Sequence, residues 1–234
     1  MSFEATPTRY GIAGCFVDLV CDSPNPWSRI KVSEIVDMLG ISRKTFYNQF
    51  DDTSDLVRWI FRDALRRALE DEDFALAELD YPAKELDDKY ARMPFYARFR
   101  RSDGTLDQSR YFQALCAVFN ERERYYRNIF TYPCYIDFYK YIESLYVPAF
   151  RKDVLIMAGE NRKLSDAELT FLSEYHAIAV LYRVKHHLSH MKQPLPEKGV
   201  DRFWNYSHEV IGATLDAMFN DVGGNGVIGR LTNL

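Results

Sequence analysis

Apolar residues recur at three- and four-residue intervals along most of the chain, a spacing that predicts an all-α fold. Thr8 to Cys21 reads as a first helix, apolar enough at Tyr10, Ile12, Ala13, Phe16, Val17, Leu19 and Val20 to lie buried between neighbours. Ser23, Pro24, Asn25 and Pro26 end it. Val32, Ile35, Val36 and Leu39 then mark a short helix over Val32–Leu39. Gly40 follows, where a helix C-cap wants a residue that tolerates positive φ. Ser42 stands where the next helix should begin, and its hydroxyl can accept the Thr45 N–H. That helix runs from about Arg43 to Gln49 and turns Phe46 and Phe50 inward. Two short helices with a glycine turn between them form a helix-turn-helix pattern.

The rest of the chain continues in the same period. Asp52 and Asp55 supply a cap and a third-position acid for a long amphipathic helix carried by Leu56, Ile60, Phe61, Ala64, Leu65, Ala68 and Leu69. It could reach about Leu79 before Pro82 stops it. Tyr81 to Gly104 is irregular, and Pro94 with Arg98, Arg100 and Arg101 suggests a short helix and then a loop with a solvated basic face. Thr105 to Phe130 is helical, with a charged interruption from Asn120 to Arg124. Pro133 opens a further helix, which Pro148 kinks or ends. Ser165 to Glu168 is a capping box for a helix towards Met191, closed by Pro194 and Pro196. Val200 to Phe219 is the last helix, and the glycine-rich segment 223–234 reads as a flexible tail.

The residues left on the outer face of Arg43–Gln49 carry the chemistry of a nucleic-acid reader. Arg43 and Lys44 can meet phosphate or guanine edges, Asn48 and Gln49 can bond adenine edges, and Ser42, Thr45 and Tyr47 can bond phosphate oxygens. Against this stands the reading of an ordinary solvated face in a helical hairpin. The string GISRKTFYNQFDDTSDL (Gly40 to Leu56) resembles the signature of the tetracycline-repressor (TetR) family of bacterial transcription regulators. The likeness covers about the first seventy residues. It departs at Lys31, where the family commonly has a capping Thr; Lys is donor-only and cannot cap, though it can meet a phosphate.

The resemblance implies a division into a helix-turn-helix DNA-binding domain at 1–52 and a helical effector-binding and dimerisation domain at 53–222. It also implies a homodimer through the two C-terminal helices on a palindromic double-stranded DNA operator, most often acting as a repressor. In such regulators a small-molecule effector commonly sits between the helices of the second domain. The aromatic middle of the chain offers Tyr111, Phe112, Phe119, Tyr135, Phe138 and Tyr139 for that role, with core packing as the plainer reading of the same rings. A co-regulator that keeps the fold and works through a partner protein is the alternative.

Composition tempers these expectations. The formal net charge is -4, so a DNA reader of this kind must concentrate its positive charge, here in Arg29, Lys31, Arg43 and Lys44. Cys15, Cys21, Cys116 and Cys134 are scattered with no CxxC pair, which suits free thiols in a reducing cytoplasm. The first residues lack a signal-peptide pattern, and no apolar run approaches a membrane span. His186 and His190 have a zinc-compatible spacing but lack further ligands, and His208-Glu209 stands without a partner. No phosphate loop, nucleophile elbow or paired Cys and His argues for a cofactor, a metal or catalysis.

Overall fold

The computed structural model describes residues 7–191, 195 and 205–220. The start of the expected last helix (Val200 to Trp204), Pro194, Pro196 and the tail lie outside the described residues. The fold is all-α. A head of α1 (Pro7–Asp22), α2 (Val32–Leu39) and α3 (Arg43–Tyr47) leads into α4 (Thr53–Leu69), which runs on into a larger body. The body is built from α5 (Ser109–Glu121), α6 (Glu123–Thr131), α7 (Ile136–Ala158), α8 (Asp166–His186) and α9 (Tyr206–Asn220).

Local chemistry accounts for most boundaries. Asp52 caps α4 by accepting the Asp55 N–H at 2.7 Å, and Ser165 and Glu168 form the expected capping box on α8. The helix predicted to reach about Leu79 stops at Leu69 instead. Glu70, Asp71, Glu72 and Asp73 follow there, and carboxylates at a helix C-terminus oppose its macrodipole. Asp71 turns its carboxylate to the Asp73 N–H and opens a 3-10 turn at Glu72–Phe74. The helix expected from Thr105 begins at Ser109, because Leu106 still bridges to Arg100, and it breaks at Arg122 within the charged interruption. Pro133 begins a 3-10 turn, Pro133–Tyr135, and α7 continues past an exposed Pro148 rather than ending there.

The irregular stretch between α4 and α5 holds a feature the pattern did not reveal. Beyond a 3-10 turn at Lys84–Leu86, β1 (Glu78–Asp80) and β2 (Tyr96–Arg98) pair antiparallel, with Leu79 opposite Ala97. All three residues of β2 are buried, so no alternation of polar and apolar residues marks it. Arg98 is therefore not on a solvated face. It is 1% exposed, pairs with Asp80 at 2.8 Å and with Asp153, and donates to the Ala149 carbonyl at 2.9 Å. Asp153 also accepts the Tyr96 hydroxyl at 2.6 Å and meets His208 Nε2 at 2.8 Å. His208 is thus not partnerless but fully buried, and burial beside Asp153 pushes the Tyr96 phenol well above its usual range.

This network joins β2, α7 and α9. Asp153→Ala should cost about 3–5 kcal/mol, because it removes the buried carboxylate shared by Arg98, Tyr96 and His208. Urea unfolding checks this, and a loss under about 1 kcal/mol would mean that the three elements are held by packing alone.

Candidate nucleic-acid interface

Short-range bonds shape the turn between α2 and α3. Gly40 adopts φ 63°, and its N–H and that of Ile41 return to Asp37 and Val36, closing a Schellman-type end. Ser42 then caps α3 through the Thr45 N–H at 3.1 Å. Lys31 makes no side-chain cap; Glu34 alone reaches back, accepting the Lys31 N–H at 2.7 Å. Ile35 and Val36 are buried under α2, whereas Leu39, expected on the apolar face, is over a third exposed.

Five residues are too few for a helix to hold itself. Phe46 and Phe50 anchor α3: both are fully buried, and Phe50 meets the Trp59 ring edge-on at 5.5 Å. Arg9 completes the seat. Its guanidinium lies over the Phe50 and Trp59 rings and donates to the Gln49 carbonyl at 2.9 Å. Nothing local in the sequence marks Arg9 for this, since its partners are forty and more residues away.

With that side pinned, Lys31, Ser42, Arg43, Lys44, Tyr47 and Asn48 face solvent, and Thr45 and Gln49 are half-buried beside them. No carboxylate among the described residues pairs with Lys31, Arg43 or Lys44. Arg29 does not join that cluster. It turns towards the body, donating to the Cys134 carbonyl at 3.0 Å and pairing with Asp137 at 2.7 Å, where Asp137 sits in the first turn of α7. The Ile30 N–H beside it donates to the Tyr135 hydroxyl, and Asn128 and Tyr132 donate to the Val20 and Ser23 carbonyls. Burial pushes the Tyr135 phenol up to about 12, so it stays a neutral partner at this seam.

Near the start of α4, Asp55 accepts the Asp51 N–H, Lys89 Nζ at 2.6 Å and the Tyr90 hydroxyl at 2.5 Å. Buried Arg62 bonds Asp88 and the Tyr141 hydroxyl. A polar cavity of about 590 Å³ opens along this junction.

The six aromatic residues singled out as effector contacts do not form one wall. Tyr111 donates its hydroxyl to the Phe95 carbonyl, and the same oxygen shares a hydrogen bond with the Tyr146 hydroxyl. Phe119 stacks on Phe61, and Phe138 meets the same ring edge-on. These three are core. Tyr135 and Tyr139 border a 310 Å³ recess beside Lys185. Phe112 lines a more apolar cavity of about 580 Å³ between α5, α8 and α9, together with His176, Arg183, Tyr206 and Val210, which the aromatic pattern missed. Burial, with a smaller push from His208, lowers the His176 imidazole from 6.5 to about 4. His186 and His190 stack on each other. No described helix is long and apolar enough to cross a membrane.

No protein-family model matches the chain. It is 37% identical over 64 residues to the HTH-type dhaKLM operon transcriptional activator DhaS of Lactococcus lactis subsp. lactis (strain IL1403). That match takes in 27% of this chain and 33% of the other, so the chain spans about a third of the length of the curated relative it matches. Its fold is similar to that of a solved structure of the dihydroxyacetone kinase operon activator DhaS, with a TM-score of 0.52 over 90% of this chain and 97% of that one. At 19% identity the second likeness is one of fold.

Two substitutions separate the seat of α3 from its face. Phe46→Ala should lose about 3–5 kcal/mol in chemical unfolding, whereas exposed Tyr47→Phe should stay within about 0.5 kcal/mol. His176 gives a pH signature. Its folded value is depressed, so its contribution is complete above 6.5 and is lost as pH falls towards about 4. Unfolding curves from pH 7 to pH 4, compared with His176→Leu, should show that extra acid loss only in the parent.

Proposed function

We propose that the chain is a DNA-binding transcription regulator of the TetR type, reading double-stranded DNA with α3 in the major groove. The observation that carries this is the division of α3. One side is fixed in the core by Phe46, Phe50 and Arg9. The other offers Arg43, Lys44, Tyr47 and Asn48 to solvent, with no carboxylate pairing the two cations among the described residues. The role of the Lactococcus lactis relative, transcriptional activation, supports the same reading. Lys31 and Ser42 flank the face and suit phosphate contact, and Thr45 and Gln49 suit contacts at its edge.

A palindromic operator calls for a two-fold partner. Phe171, Tyr175, Ile178 and Tyr182 are all exposed and follow one another at intervals of four, three and four, which sets them in one stripe along α8. An apolar stripe of that kind supports a second copy of this chain as its cover, with α9 beside it. An effector held in the body would shift the pair only by binding one geometry more tightly than another. Whether DNA binding represses, as the resemblance suggests, or activates, as the relative does, follows from where the operator lies against the promoter.

Footprinting on the DNA upstream of the chain's own gene, repeated across a salt series, tests the reading. A protected palindrome should appear, with affinity falling steeply between about 50 and 200 mM salt. Lys44→Ala should weaken binding and flatten that slope by about one unit, and Phe171→Glu should break the dimer and the footprint together. No protection at any salt by a folded dimer would overturn operator binding and turn the search to a protein partner.

A further inference from the structure

We propose that the cavity between α5, α8 and α9 is a binding site for a small amphipathic monocarboxylate. Its apolar body would lie against Phe112, Leu115, Val180 and Val210, and its carboxylate would meet Arg183. Its consequence for DNA rests on the regulator reading; occupancy does not.

The volume, about 580 Å³, is in the range that holds a single small ligand. The walls are largely aliphatic and aromatic, which selects an apolar body. Polar groups break that lining at Cys116, Ser207, the Tyr175 and Tyr206 hydroxyls, His176 and Arg183, and the last two carry the argument. His176 is 5% exposed and makes no hydrogen bond; its one contact of note is edge-on with the Tyr175 ring. A ligand atom that meets this imidazole inside the cavity gains a hydrogen bond that no described residue supplies. Arg183 has no carboxylate or hydrogen-bond partner among the described residues and stands at the exposed margin with Tyr175 and Tyr206.

His176 and Arg183 are seven residues apart on α8, two turns along nearly one face. Helical side chains lean towards the N-terminus, so Arg183 leans over Ala179 towards His176. A carboxylate between them would take a charge-assisted bond from the guanidinium and an N–H from the imidazole, which is neutral in this setting. A dianion or an inorganic ion gains nothing from the apolar walls, and a neutral apolar molecule leaves both groups unmet. The margin of the site is shared with the exposed α8 stripe through Tyr175, so an occupant would lie beside the proposed interface between copies.

Calorimetry and thermal shift with octanoate and 4-phenylbutyrate, their neutral primary amides, and inorganic phosphate test the site without any DNA. One or both carboxylates should bind saturably and raise the melting temperature, and the matched amide should bind about tenfold more weakly. Arg183→Gln, at an exposed position, should erase the difference between acid and amide. Ala179→Trp should block both while leaving the fold intact by circular dichroism. Lys185→Gln, which does not line the cavity, should leave binding unchanged. Equal binding of acid and amide, an unchanged preference in Arg183→Gln, displacement of octanoate by phosphate, or no saturable binding of either carboxylate would each overturn the proposal. None of these results bears on whether the head reads DNA.

Discussion

A helix of five residues cannot specify its own position, and much of the head follows from that constraint. The orientation of α3 is borrowed from Phe46 and Phe50 beneath it, from the Ser42 cap at its start, and from Arg9 gripping the carbonyl at its end. Because Phe50 meets the Trp59 ring of α4 and the Arg9 guanidinium of α1, the outer face of α3 is aimed by the whole head. Arg43, Lys44 and Asn48 are left exposed on that face, which suits the proposed contacts to phosphate and base edges.

The head is in turn fixed to the body by two sets of contacts around α4. In one, Arg29 and the Ile30 N–H engage Cys134, Asp137 and Tyr135 at the start of α7. In the second, Asp55 holds Lys89 and Tyr90, and Arg62 holds Asp88 and Tyr141. These contacts are polar and directional, so a shift of α7 along its length would either carry the head with it or break identifiable bonds. That gives the body a mechanical route to α3. Use of the route depends on a ligand with unequal affinity for two arrangements.

What could be read from the sequence is what is local. Gly40, Ser42, Asp52 and the Ser165–Glu168 box act within five residues, and each lies where its chemistry placed it. Errors gathered where partners are distant. Arg98 looked like part of a solvated run because Asp153 lies 55 residues away, and His208 looked alone for the same reason. Arg29 sits among the basic residues of the motif in sequence but answers to Asp137, 108 residues on. The aromatic richness of the middle third pointed to a pocket, yet Tyr111, Phe119 and Phe138 are core; composition cannot tell a ring that fills space from one that borders it. The apolar cavity between α5, α8 and α9 owes more to His176, Arg183 and Val210, residues with no common sequence pattern.

The account stands or falls on α3 entering the major groove. Dimethyl sulfate probing reports this groove by groove, since guanine N7 lies in the major groove and adenine N3 in the minor. On the DNA upstream of the chain's own gene, the account predicts N7 protection in two patches related by a two-fold axis and lost with Arg43→Ala and Lys44→Ala together. Protection confined to adenine N3, or N7 protection that survives both substitutions, would contradict it.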